Sequence, residues 1–302
     1  MFASFGKSWR LVKASYGVLK QDKQLLVFPL ASTVALFFVT LMLMLPLAAT
    51  GILDAAQADG GEVSGGQGMT AFVIMFLFYF INYTIIIFSN TALIGAAMIR
   101  LDGGTPTVRD GLNIAQSRLG TILGWAAIAA TVGMILQALQ NAARDSDNIA
   151  TQIIGSILVS LAGFAWNLIT FLVIPVYVIE NVGPIESIKR SASLLKKTWG
   201  ENITGSFSMG IIQFLLILAI ALLIGLPLFL LAASTGSAIF IGFVVLVMLV
   251  LIGGVSIFFS ALNAIFQAAL YKYAVSDGRD EAVNEFFDAE LISGAFEPKP
   301  AR

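Results

Sequence analysis

The chain has 302 residues, 58% of them hydrophobic and only 12% charged, with a net charge of −1. Soluble domains average about 45–50% apolar and about 25% charged. The balance here, with a mean hydropathy of +0.91, therefore excludes an ordinary soluble protein and a disordered one, and the near-zero charge argues against a nucleic-acid partner.

A bilayer core about 30 Å thick takes roughly 20 apolar residues as helix. Six stretches meet that length, near 25–52, 69–99, 119–140, 150–179, 203–233 and 237–272, and none carries a Lys, Arg, Asp or Glu in its central part. The predicted fold class is an all-α integral membrane protein of six transmembrane helices. The first stretch is too long for the h-region of a cleavable signal. Asp54 to Gly68, rich in Gly and acid, reads as an exposed loop.

Orientation follows from the basic residues of the connections. Those before the first span, between spans 2 and 3, between spans 4 and 5 and after span 6 hold 16 of the 17 Lys and Arg, leaving Arg144 alone on the other side. Both termini are therefore expected in the cytoplasm, and the expected location is a prokaryotic cytoplasmic (inner) membrane.

Each odd-numbered span follows a segment whose apolar residues recur every three or four positions, the period of one helical face. These are Phe5, Trp9, Val12, Tyr16 and Leu19; Val108, Leu112, Ala115 and Leu119; and Ile185, Ile188, Ala192, Leu195 and Trp199. Pro106 and Pro184 open the second and third segments, as first-turn prolines do. The chain thus reads as three hairpins, each led by a cytoplasmic in-plane amphipathic helix. The repeats fall at about 1–101, 102–180 and 181–276, a single membrane domain over 1–276 followed by an acidic cytoplasmic tail, 277–302. Basic faces at Lys7, Arg10 and Lys13 and at Lys189, Arg190, Lys196 and Lys197 are candidate contacts for anionic lipid, at about 1 kcal/mol per nearby cation. The commoner role of such helices is to brace the bundle at the interface.

Polar side chains inside spans favour the even-numbered ones. Asn82 and Asn90, Asn167, and Asn263 with Gln267 form a possible intramembrane cluster, of a kind that suits a neutral solute or lipid headgroup. Amides of this sort serve more often as interhelical glue, about 0.6 kcal/mol per bond. No acid lies at mid-span, where proton-coupled carriers place one. Glu180 and Asp102 stand at span ends, and with a basic residue between them they would suit a lipid-modifying enzyme. Pro46, Pro175 and Pro227 are expected near span ends, without a break at mid-depth, and Gly253–Gly254 is the one expected hinge. In the tail, Val283, Phe286, Phe287 and Leu291 form an apolar stripe for docking on the chain's own basic loops or on a partner.

Catalytic signatures are missing: no P-loop, GxSxG or HExxH occurs. Cysteine and histidine are both absent, which removes disulfides, thiolate nucleophiles, imidazole catalysis and metal or haem centres built on them. No catalytic, cofactor or metal residues are expected.

Three stretches carry a resemblance: KSWRLVKASYGVLKQDKQLLVFPLAS at 7–32, WNLITFLVIPVYVIENVGPIESIKRSASLLKKTWGENITG at 166–205 and ALYKYAVSDG at 269–278. Together they resemble a prokaryotic membrane family known as domain of unknown function 6159. The most distinctive piece is the pattern of Pro175, Glu180, Pro184, Glu186 and Ser191. A similar segment occurs in other membrane families, including the membrane domain beside some glycerophosphodiester phosphodiesterases. The resemblance implies a polytopic prokaryotic membrane protein and transfers no catalytic residue. The expected function is a non-enzymatic scaffold or accessory subunit in contact with anionic lipids and other membrane proteins. The alternative is a permease for a neutral or lipophilic solute, working through Asn90, Asn167 and Asn263.

Overall fold

The computed structural model describes residues 2–49, 65–144, 148–199, 208–276 and 285–287. Among them the regular structure is entirely helical: α1 (Phe2–Gln21), α2 (Val27–Ala49), α3 (Gly65–Leu101), α4 (Val108–Ser117), α5 (Leu119–Arg144), α6 (Ile149–Ile169), α7 (Val173–Glu180), α8 (Pro184–Trp199), α9 (Ser208–Ile220), α10 (Leu226–Thr235) and α11 (Ala238–Ser276). Six helical runs are long and apolar enough to cross a membrane: Lys23–Met42, Phe72–Leu101, Leu119–Arg144, Ile149–Glu180, Met209–Thr235 and Ala238–Ser276. The expected loop after the first span lies mostly outside the described residues, and α3 has already begun at Gly65.

Local chemistry sets the helix ends. Gly103 leaves α3 at φ 83°, a conformation open to a residue without Cβ. Thr107 and Asp110 form a reciprocal cap on α4. The Asp110 carboxylate accepts from the Thr107 amide at 2.9 Å and hydroxyl at 2.7 Å, while the Asp110 amide donates to the Thr107 hydroxyl at 3.2 Å. These bonds hold the Asp110 carboxyl below its ordinary pKa. Asn148 caps α6, its side-chain oxygen accepting from the Ala150 amide at 2.9 Å.

Two spans depart from the expected even course. The fourth breaks at Thr170–Leu172 into α6 and α7. Pro175 has no N–H for the Phe171 carbonyl and crowds it, so the turn before the proline opens. The fifth widens at Ala221–Gly225 into a π turn, closed by the Leu226 amide on the Ala221 carbonyl, directly before Pro227. Prolines thus interrupt both helices inside their apolar runs. The expected hinge at Gly253–Gly254 shows no such interruption, since α11 runs unbroken through it.

The chain divides into two compact units, one of residues 1–29, 93–110 and 194–302, the other of 30–92 and 111–193. In the first, α1 packs on α9 and α11, and α10 packs on α11. Its core gathers late in α3 and α11, from Leu93 to Leu101 and from Phe259 to Ala274. Gly225 makes room for α11, because a Cβ there would lie 2.8 Å from the Met248 methyl. Asp22, buried at the end of α1, holds Arg100 through both carboxylate oxygens, the Nη2–Oδ1 bond measuring 2.8 Å. Lys272 binds Asp102 and the Leu101 carbonyl, and Gln24 donates to the Pro106 carbonyl. Phe287 is fully buried and Phe286 lies against Gly17 of α1, so this part of the tail docks on its own chain; Val283 and Leu291 of the expected stripe lie outside the described residues.

In the second unit α5 packs along α6, tightly enough that a Cβ on Gly155 would sit 2.8 Å from the Ala143 Cβ. Gln140 adds a bond to the Ser156 hydroxyl at 3.1 Å. The short α7 buries Val173, Pro175, Val176, Tyr177 and Val178, whereas α6, nearly three times as long, buries nothing. The same holds for the most apolar window of Met209–Thr235. Large apolar side chains such as Leu223 and Ile239, 76% and 88% exposed, have little cover from the described residues. Water would penalise each by about 1.5–3 kcal/mol, so their cover is hydrocarbon. This is the pattern of a multi-pass membrane protein.

Candidate functional site

The break in the fourth span exposes backbone groups that a continuous helix would pair. The Ser191 hydroxyl of α8, fully buried, fills that gap. It accepts from the Leu172 amide at 3.1 Å and donates to the Ile169 carbonyl at 2.6 Å. One side chain thus stands in for a missing turn and fastens α8 to the span. Its surroundings are fixed by the same segment. Asn181 ends α7 in the left-handed conformation (φ 54°), which Asn tolerates better than most residues. The Arg118 guanidinium donates to the Asn181 side-chain oxygen and, at 3.1 Å, to the Val178 carbonyl, a cation at a helix C-terminus. Glu180 receives Arg190 Nε at 2.9 and 3.1 Å. Pro184 starts α8 against Gly124, where a Cβ would meet its ring at 3.0 Å. Thr91 bonds the Tyr177 hydroxyl, joining α3 to the buried α7.

Beside the break lies a recess of about 280 Å³ in the second unit, between α3, α5 and α6. Tyr83, Trp125, Gly133, Trp166, Asn167 and Thr170 line it with aliphatic neighbours. The two indoles stack with centroids 5.7 Å apart, at 29°. Gly133 admits the Tyr83 hydroxyl, which would lie 3.1 Å from a Cβ there. Thr170 turns its hydroxyl back to the Trp166 carbonyl at 2.7 Å. Among the described residues, none that lines the recess is charged.

Of the expected polar cluster, Asn167 alone lines this recess. Asn82 donates to the Phe78 carbonyl of its own helix at 2.7 Å, the commonest local use of a mid-helix amide, and Asn90 does not line it. Asn263 and Gln267, both half-buried, stand one turn apart on α11 in the first unit. Glu180 and Asp102 are each engaged by a cation of their own unit, Arg190 and Lys272.

Of the expected lipid contacts, Lys189, Lys196 and Lys197 are exposed on α8, and Arg190 is taken up by Glu180. Arg10 and Lys13 are exposed on α1; the Lys7 side chain lies outside the described ones. On α8 the residues that face protein are Ser187, Ser191, Leu194 and Leu195, while Ile185 is 62% exposed. On α1 the buried face is Leu11, Val12, Ser15, Val18 and Leu19, rotated from the expected stripe, and Trp9 and Tyr16 are exposed. In both helices small serines permit the close contact, and larger apolar side chains face outward. Ser191 belongs to the distinctive Pro175–Ser191 pattern, which gives it no role, and Arg118 and Asp22 carry no mark in their sequence context. The proline and serine spacing around Ser191 was the available signal.

A family model described as a family of unknown function (DUF6159) matches residues 69–281, more than half of the chain and the whole of the Ser191 segment. Among curated proteins, none matches.

Proposed function

The chain belongs to the family of unknown function DUF6159, and from that premise we propose that it is a non-enzymatic scaffold or accessory subunit of a prokaryotic cytoplasmic membrane, gathering anionic lipid and other membrane proteins. Both termini face the cytoplasm, in keeping with the distribution of Lys and Arg. The architecture is three hairpins led by α1, α4 and α8 as in-plane helices. The packing of α5 on α6 and of α10 on α11 supports the second and third hairpins.

The observation that carries this reading is α8. It keeps Lys189 and Lys196 exposed beside an exposed Ile185, while its serines hold the protein. A helix that leaves apolar and cationic side chains uncovered together suits the headgroup layer, where each has a partner. Ser191 ties that helix to a membrane span, so lipid bound there is held by a rigid element.

Extraction of the full chain in mild detergent, with identification of what co-purifies, tests the reading. Stoichiometric anionic lipid and a membrane-protein partner are expected; a chain that retains neither contradicts it. The second reading, a permease for a neutral or lipophilic solute, draws on Asn167 in the recess. It requires solute flux in proteoliposomes that falls when Asn90, Asn167 and Asn263 become Leu.

A further inference from the structure

The recess between α3, α5 and α6 has dimensions that select an occupant. Along α5 it runs from Trp125 to Leu136, about 16 Å at about 1.5 Å per residue. Its volume is about 280 Å³. That length admits a hydrocarbon chain lying lengthwise, and the indole and aliphatic walls suit it. The described wall residues carry no charge, so an ionised group among them would lack a partner. They do carry polar groups. The Asn167 amide, two N–H donors and one acceptor, stands at the open side of the recess on an exposed residue and has no hydrogen-bond partner among the described residues, although it sits within an apolar run. A hydroxyl satisfies it in both senses, accepting from the amide N–H and donating to the amide oxygen.

We propose that this recess is a binding site for an uncharged, hydroxyl-bearing lipid, with one chain lying along α5 and the hydroxyl on Asn167. Diacylglycerols and polyprenols share that chemistry. The site is independent of the scaffold reading, involving none of the α8 lysines; it shares Asn167 and the recess with the permease reading but requires binding, not flux.

The chain's four tryptophans allow a direct test. With Trp9 and Trp199 replaced by Phe, fluorescence reports only Trp125 and Trp166, both in the recess. The full chain in zwitterionic nanodiscs is titrated with a bromine-tagged long-chain alcohol, and separately with the carboxylate of equal length at a pH that ionises it. Quenching by the alcohol should saturate. The carboxylate should need at least about tenfold more, and Asn167→Leu should raise the half-saturation for the alcohol about tenfold, the equivalent of about 1.4 kcal/mol. Gly163→Leu should abolish the saturable part, because a Cβ there has room (nearest atom Leu136 Cδ1 at 3.9 Å) and the side chain fills the recess. Ala129→Leu is the second filling variant should the first not fold. Quenching that rises linearly with the bilayer fraction of alcohol, equals that of the carboxylate, or ignores both Asn167→Leu and the filling variant overturns the proposal. Mass spectrometry of lipid retained through extraction separates the sources: a diacylglycerol or polyprenol mass, lost in the filled variant, supports the site. Retention of neither, with no saturable quenching, means that water alone serves Asn167.

Discussion

Replacing Ser191 with Ala removes one hydroxyl and orphans two backbone groups. The Leu172 amide, in a fully buried residue, loses its acceptor at 3.1 Å, and the Ile169 carbonyl loses its donor at 2.6 Å. A buried unsatisfied polar group costs about 1–3 kcal/mol. The Ile169 residue is partly open, so its carbonyl falls at the low end and the amide carries most of the loss. About 2–4 kcal/mol of destabilisation is expected from the pair. Ser193→Ala, at an exposed position of the same helix, should be within about 0.5 kcal/mol of neutral. Thermal unfolding in one detergent ranks the variants, and amide hydrogen exchange over peptides spanning 168–176 localises the effect at Leu172. Ser191→Ala with the melting temperature of Ser193→Ala and unaltered exchange at Leu172 would refute the stapled break.

Further outcomes follow from the same physics. Asp22→Asn leaves the half-buried Arg100 without its carboxylate and should cost about 1–3 kcal/mol in thermal unfolding, with Arg100→Met in the same chain restoring part of it; an additive double variant would contradict the pair. The Asp110 carboxyl titrates below its unfolded value, so its support of the α4 cap is complete above the ordinary carboxylate pKa and is lost as pH falls through the lower folded one. Protection of the Thr107 amide, corrected for intrinsic exchange, should decline only in that acid window and be pH-independent there in Asp110→Asn. Single cysteines at 193 and 280, in a chain with none, should resist an impermeant reagent in intact cells; labelling from outside would invert the topology.

The six spans were legible because membrane hydrocarbon demands length and apolarity, both readable residue by residue. The helix from Leu119 and the end of the fourth span near Glu180 lie where hydropathy put them. Which face meets protein was less legible. In water a helix buries its apolar stripe, but a chain in lipid can leave apolar residues outward, so α1 turns Trp9 and Tyr16 away and packs through Ser15. The break at 170–172 follows from Pro175, yet its repair by Ser191 joins a hydroxyl to two backbone atoms, and backbone atoms have no sequence signature. Sequence position gives each amide its depth along its span. Depth does not specify azimuth, so Asn167 faces the recess while Asn82 bonds its own helix. Asp22 stands among five cations that dominate the charge of its segment, and an acid between α1 and the first span, with Arg100 ending the second, is the signal for the pair.

The most direct measurement of the central claim is native mass spectrometry of the full chain from equimolar anionic and zwitterionic lipid, compared with a Lys189→Gln/Lys196→Gln variant. Exposed charges are screened within about 8–10 Å at physiological salt, so the preference should weaken as salt rises. The expected result is retention of anionic lipid by the unsubstituted chain and loss of that preference in the variant. Equal retention of both lipids, or a preference untouched by the two substitutions, would contradict the assignment of α8 as the lipid-holding element.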